Sequence, residues 1–288
     1  MHTDEAEIDV PLVRRLITEQ FPQWADLPVA DVISSGTDNA MYRLGEDMAV
    51  RLPRIPWAVP NVDREHAWLP RLADELPVPI PVPLGRGEPG AGYPWPWSVV
   101  RWMPGENPCY ATDPLARDLA DFILALRRID PANGPRQDRG RPLRTRDDTT
   151  RKAIDELTGM IDTAAVAEIW AEAVALPEWR GPELWSHGDL SPGNVLVRNG
   201  RLSAVIDLAG AGVGDPTVDL IVAWNLLRAE ARDLFREALD VDDVTWLRGR
   251  AWALSIALIQ LPYYQHTNPQ LAENARHVIR EVLTDAAG

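Results

Sequence analysis

The chain has a single cysteine, Cys109, so no disulfide can form within it, and a reducing cytoplasm is the expected compartment. No apolar run approaches the roughly 20 residues that a membrane helix needs. The opening Met1-His2-Thr3-Asp4-Glu5 is acidic where a secretory leader would be basic, so neither a span nor a signal peptide is expected. Basic residues are scarce: 29 Lys and Arg stand against 43 Asp and Glu, a formal net charge of −14 over 288 residues. That balance argues against a nucleic-acid partner, whose phosphate backbone demands a basic surface. It would suit a cationic small substrate, but solubility accounts for it equally well. No internal repeat is visible. The length suggests roughly two domains, and a hydrophobic content of 45% is enough for a substantial core.

The stretch richest in chemistry is Trp185-Ser186-His187-Gly188-Asp189-Leu190-Ser191-Pro192-Gly193-Asn194-Val195-Leu196-Val197, followed by Val205-Ile206-Asp207. Between them lies Asn199-Gly200, and Asn-Gly between apolar runs is a strong hairpin signal. A turn centred there sets position 194 opposite position 205. Alternation along a strand then puts Asp207 on the face of Asn194. Diagonal neighbours on one face lie roughly 7–8 Å apart, within reach of one small cation. Asp189 sits just upstream, in a loop that Gly188, Pro192 and Gly193 keep irregular. Two carboxylates and an amide at one end of a hairpin suit a hard, oxygen-preferring metal such as magnesium.

His-Gly-Asp with Asn five residues after the Asp, then Ile206-Asp207 ahead of Gly212-Val213-Gly214-Asp215-Pro216 and Asp219-Leu220, resembles the aminoglycoside phosphotransferase family. Those enzymes are antibiotic and small-metabolite kinases related to protein kinases. The resemblance implies an α+β, bilobal protein-kinase-like fold: an N-terminal lobe with an antiparallel sheet and helices, and a larger, mainly helical C-terminal lobe. By position it implies that Asp189 accepts the substrate hydroxyl proton, while Asn194 and Asp207 hold Mg2+ against the phosphates of ATP or GTP. It also implies that Asp219 anchors the backbone of the loop around Asp189. His187 is then a packing residue against the Asp219 region rather than a base.

In chain order, Asp9 to Phe21 reads as an amphipathic helix, with Val10, Val13, Leu16, Ile17 and Phe21 at helical spacing, Asp9 as cap and Pro11 in the first turn. Val32 to Leu44 reads as two short strands about a polar turn. The resemblance makes Ser35, Gly36, Thr37, Asp38 and Asn39 phosphate-facing, although this stretch has one glycine rather than a Gly-x-Gly-x-x-Gly run. Met48 to Leu52 is a third strand, carrying Arg51 where kinases place a lysine. A guanidinium brings a permanent charge and a two-pronged fork to the same task. Val50-Arg51-Leu52-Pro53-Arg54 is similar to the macrolide kinases of the family, so an aminoglycoside substrate does not follow automatically. Asn61 to Leu76 reads as a helix closed by Pro77, with Glu65 the implied partner of Arg51. Pro77 to Pro83 is too proline-dense for a central strand. Trp97 to Met103 reads as a strand matching the interlobe hinge, where Arg101, Trp102 and Met103 would contact the base. The expected lobes are 1–103, binding nucleotide, and 104–288, catalytic and substrate-binding.

The second lobe opens with a helix from Asp113 to Ile129. Pro131 to Arg146 lacks apolar periodicity and reads as a loop with room to move. Helices are expected over Asp148 to Met160, Thr163 to Leu176 and about 230–239, 242–261 and 269–284. Asp215 and Pro216 mark a helix start. The twelve tryptophans lie among aliphatic residues and read as core.

The implied activity is transfer of the γ-phosphate of ATP or GTP to a hydroxyl of an aminoglycoside- or macrolide-like antibiotic, conferring resistance. A housekeeping kinase of choline, homoserine or a sugar amine would use the same residues. A nucleotide-binding regulator without catalysis draws support from Arg51 alone, and no zinc-type spacing favours metal-dependent hydrolysis. Which hydroxyl is phosphorylated, and the oligomeric state, have no signature. An ordinary carboxylate is a poor base for an alcohol early in the reaction, so orienting the hydroxyl is the main task of Asp189. Accordingly, Asp189→Ala should cut turnover by several orders of magnitude while nucleotide affinity, measured by titration, stays nearly unchanged. Unaltered turnover would remove Asp189 from the mechanism.

Overall fold

Apolar periodicity and capping chemistry set the first helix. A computed structural model describes residues 7–32, 38–109 and 112–287. Helix α1 runs Val10–Gln20 with Leu12, Val13, Leu16 and Ile17 buried along one stripe. Asp9 caps it, its side chain accepting from the Leu12 N–H at 2.8 Å. Then follow strands β1 (Val29–Asp31), β2 (Asn39–Leu44) and β3 (Met48–Pro53), helix α2 (Pro60–Ala73), and strands β4 (Pro83–Gly87) and β5 (Trp97–Arg101). These strands make one antiparallel sheet in the order β1-β2-β3-β5-β4. The stripe of α1 joins Tyr42, Leu44, Val50, Leu52, Trp97 and Val99 in one apolar core. Phe21 stacks on Trp24 at 5.0 Å and meets Trp97 edge-on at 5.3 Å.

Helices α3 (Asp113–Arg128), α4 (Asp147–Glu156) and α5 (Thr163–Ala175) come next. Strands β6 (Leu184–Ser186), β7 (Val195–Arg198), β8 (Arg201–Val205) and β9 (Gly212–Gly214) follow, then helices α6 (Val222–Asn225), α7 (Ala229–Leu239), α8 (Asp243–Tyr264) and α9 (Pro269–Ala287). β6 pairs with β9, and β7 with β8. The chain divides into two compact units, one of residues 1–105 with 204–209, the other of residues 106–203 with 210–288. In the second unit α8 packs against α9 and α4, and α3 against α7. Trp170, Trp185, Trp224 and Trp252 are fully buried there, as Trp97 is in the first unit. Among the described residues no helix is long and apolar enough to cross a membrane.

Three sequence expectations shift. The first strand lies at Val29–Asp31, ahead of the expected Val32. Helix α2 ends at Ala73 rather than Leu76, and it carries Pro70 inside. The segment from Pro131 to Arg146 is irregular but pinned: Val213 N–H donates to the Pro135 carbonyl at 2.7 Å, Gln137 N–H to Val213 at 3.0 Å and Asp215 N–H to Gly140 at 3.0 Å. Backbone pairing along β9 supplies an order that side-chain periodicity could not announce.

The β7–β8 turn is as expected from Asn-Gly: Asn199 and Gly200 have φ of 53° and 74°, the positive values a tight hairpin turn of this kind requires. No atom lies within 4 Å of where a Gly200 Cβ would project, so a substitution there meets only backbone strain. Gly200→Ala should therefore cost about 1–2 kcal/mol, read as an earlier midpoint in urea unfolding. An unchanged midpoint would contradict the turn geometry.

Candidate active site

The first unit contributes a guanidinium-centred cluster. Arg51 on β3 forms an ion pair with the fully buried Glu65 of α2 and donates through Nη2 to Asp207 Oδ1 at 3.2 Å. With its amide carbonyl turned to the donors, Asn39 at the start of β2 accepts from Arg51 Nε at 3.3 Å and Nη2 at 3.0 Å. Burial opposes the charge on Arg51, but the Glu65 and Asp207 carboxylates outweigh it and hold the guanidinium above its ordinary value. Burial pushes the Glu65 carboxyl up, against the pull of Arg51. Asp38 accepts at its carbonyl from the Arg54 N–H at 2.8 Å. Ser35, Gly36 and Thr37, expected to face phosphate, lie outside the described residues.

At the expected hinge, Arg101 N–H already donates to Val82 at 2.9 Å and Trp102 N–H to Asp47 at 2.8 Å. Trp102 lies beneath the Arg43 guanidinium, 4.2 Å from ring centroid to Cζ. Met103 is 6% exposed.

Asp207 lies beyond the last residue of β8 and has φ of 60°, a left-handed conformation uncommon for a residue with a side chain. Asn194 likewise precedes β7, in a single helical turn over Pro192–Asn194. The strand alternation expected to put both on one face does not extend to either of them, because both lie outside the paired strands. Their placement is set by the turns that flank the hairpin.

The second unit builds the loop around Asp189. The Asp219 carboxylate, fully buried, accepts from the His187 N–H at 2.9 Å through Oδ2 and from the Gly188 N–H at 2.7 Å through Oδ1. Burial pushes that carboxyl up, and attraction to His187, the two N–H groups and Arg127 pull against it. The His187 ring is buried and its Nδ1 accepts from the Asp189 N–H at 3.2 Å. Gly188 has φ of 82°, and a Cβ there would lie 2.2 Å from Gln137 Nε2. Asn194 Nδ2 donates to the Asp189 carbonyl at 2.8 Å, which leaves its own carbonyl oxygen as the end able to meet a cation.

Two residues in this loop's surroundings had no sequence signal. Gln137, 4% exposed, donates from Nε2 to the Gly210 carbonyl at 2.6 Å and to His187 at 3.3 Å. Arg139 forms an ion pair with Asp189 through Nη1, which also donates to the Gly188 carbonyl at 2.9 Å. Both lie in the stretch whose composition announces only a loop. Deeper in, Arg146 donates from Nε to Ser255 Oγ at 2.8 Å and lies 5.3 Å over Trp252. Burial, aided by the like charge of Arg139, pushes it down to about 10.

Among the described residues no cluster of three or more His, Cys, Asp or Glu is poised for a metal. The Asn194 amide and the Asp207 carboxylate each offer a hard oxygen. Magnesium characteristically takes one or two such groups and completes its shell with water and phosphate.

An antiparallel sheet with helices, a mainly helical second unit and a buried carboxylate clamping a His-Gly-Asp loop define a kinase-like fold. The model of the phosphotransferase enzyme family matches residues 29–252, and the chain belongs to that family. It is a phosphotransferase with an alcohol group as acceptor. No curated protein matches significantly. Among solved structures, the GDP and kanamycin complex of APH(2")-IIia aligns with a TM-score of 0.75 and 19% identity, over 95% of this chain and 98% of that one. The macrolide 2'-phosphotransferase MphH from Brachybacterium faecium, as apoenzyme, aligns at 0.65 and 20%, over 94% and 97%. The streptomycin-ATP-APH(2")-IIa ternary complex aligns at 0.63 and 17%, over 96% and 97%.

The two N–H groups on Asp219 generate a direct test. Asp219→Asn turns one acceptor into a donor facing a donor, inside the core. It should lower stability by about 1–3 kcal/mol, seen in chemical unfolding. A wild-type unfolding curve would contradict the clamp.

Proposed function

We propose that the protein transfers the γ-phosphate of ATP or GTP to a hydroxyl of an aminoglycoside- or macrolide-like antibiotic in the cytoplasm, and so confers resistance. Residues 1–103 serve as the nucleotide-binding lobe and residues 104–288 as the catalytic and substrate-binding lobe. The observation that carries this reading is the loop around Asp189, held by a buried carboxylate at two consecutive N–H groups. Such anchoring is what a residue needs if its task is alignment.

Phosphoryl transfer demands positioning and charge neutralisation more than covalent chemistry. Asp189 orients the acceptor hydroxyl and takes its proton late. Asn194 and Asp207 would hold Mg2+, which would supply charge neutralisation at the phosphates. Arg51, fixed by Glu65 and Asn39, meets the α- and β-phosphates. Asp38 and Asn39 are assigned to the phosphates, together with Ser35, Gly36 and Thr37, which lie outside the described residues, and the backbone of Arg101, Trp102 and Met103 to the base. His187 and Asp219 support the loop. The acceptor is a small molecule, and neither nucleic acid nor membrane takes part. Relatives of similar fold have been solved with GDP, ATP, kanamycin and streptomycin, which supports a nucleotide donor and an antibiotic acceptor.

The experiment is a coupled nucleotide-turnover screen with magnesium across aminoglycosides, macrolides, peptide antibiotics and primary metabolites, with mass spectrometry of the products. Turnover with an antibiotic and a mass gain of one phosphate are expected. Turnover confined to choline, homoserine or another primary metabolite would overturn the antibiotic assignment.

A further inference from the structure

Asp189 is half exposed in an irregular loop, and a short carboxylate in such a place would ordinarily rotate among several positions. Here it does not stand alone. One nitrogen of Arg139, Nη1, is shared between Asp189 Oδ1 and the Gly188 carbonyl, tying the carboxylate to the backbone one residue before it. On the other side Asn194 Nδ2 takes the Asp189 carbonyl at 2.8 Å and lies 3.4 Å from Oδ2. Each carboxylate oxygen thus meets one donor: Oδ1 holds the short ion pair with Arg139, and Oδ2, whose contact with Asn194 is the longer at 3.4 Å, keeps the freer lone pair for an incoming hydroxyl.

Arg139 is itself held. The Gln137 Oε1 accepts from the Arg139 N–H at 3.1 Å, and Gln137 Nε2 reaches the His187 and Gly210 carbonyls. The Gly140 N–H donates to the Gln137 carbonyl at 3.1 Å, and the Asp215 N–H to Gly140. Residues 135–140 are therefore built against the same backbone that carries Asp189. As a contribution to stability the ion pair should count for little, since its side chains are 32% and 40% exposed.

We infer that Arg139 is a positioning residue for phosphoryl transfer, fixing the Asp189 carboxylate so that Oδ2 is presented to the acceptor hydroxyl. This rests on the proposed role of Asp189. A displacement of a reacting group by about 1 Å can cost about 100-fold in rate, and that is the loss expected when Arg139 is removed.

The test follows turnover of magnesium–ATP and magnesium–GTP with kanamycin, with a macrolide and with water alone, for wild type, Arg139→Ala, Arg139→Lys, Asp189→Ala and the Arg139→Ala/Asp189→Ala double variant. Arg139→Ala should lose about 100-fold in kcat with the nucleotide KM unchanged and the melting temperature within about 3 °C of wild type. Arg139→Lys, keeping the charge but losing the fork, should recover part of that loss. In the Asp189→Ala background, removing Arg139 should cost nothing more. Wild-type kcat in Arg139→Ala, or an equal further loss in the double variant, would overturn the inference. If Asp189→Ala itself turns over normally, the reading of the active site fails instead. Crystal structures give a readout independent of activity: one Asp189 rotamer in wild type, and several in Arg139→Ala or, should that variant not fold, in Arg139→Gln. A single shared rotamer would overturn the inference whatever the kinetics.

Discussion

The loop around Asp189 depends on one buried carboxylate. A full charge inside a protein is costly unless strong donors surround it. Asp219 meets that cost with two backbone N–H groups, from His187 and Gly188, at 2.9 and 2.7 Å. The same bonds fix the loop: with two consecutive amides pinned, the backbone leading into Asp189 has little freedom. The positive φ of Gly188 and the close approach of Gln137 follow from that constraint.

The first unit solves a related problem with the opposite charge. Arg51 stands in a largely buried place, and three oxygen-bearing side chains, from Asn39, Glu65 and Asp207, surround it. A lysine could serve one or two of these partners as a point charge. The planar fork of arginine serves all three at once. The exchange at position 51 is therefore accommodated by its surroundings, and it gives no support to a chain that has lost catalysis. Family membership as a phosphotransferase agrees.

The parts legible in the sequence were those written in strong local patterns. The stripe and cap of α1, the Asn-Gly turn between β7 and β8 and the Asp215 cap ahead of Pro216 each follow from short-range chemistry. The motif around Asp189 pointed to the family without any fold in view. What stayed hidden was determined by long-range bonds. Gln137 and Arg139 sit in a stretch with no periodicity, and pairing with β9 brings them to the loop around Asp189. Strand alternation misled at Asp207 because the strand stops before it, and a left-handed residue does not obey a two-residue period. The N–H groups of Arg101 and Trp102 donate to Val82 and Asp47, partners that no local pattern names.

The claim at the centre is that Asp207 and Asn194 hold the phosphate-bound cation while Asp189 faces the acceptor. A crystal structure with magnesium and a non-hydrolysable nucleotide analogue tests it most directly. The account predicts a divalent ion ligated by the Asn194 carbonyl oxygen and the Asp207 carboxylate, with Arg51 on the phosphates. An ion bound elsewhere, with those two side chains turned to solvent, would contradict it.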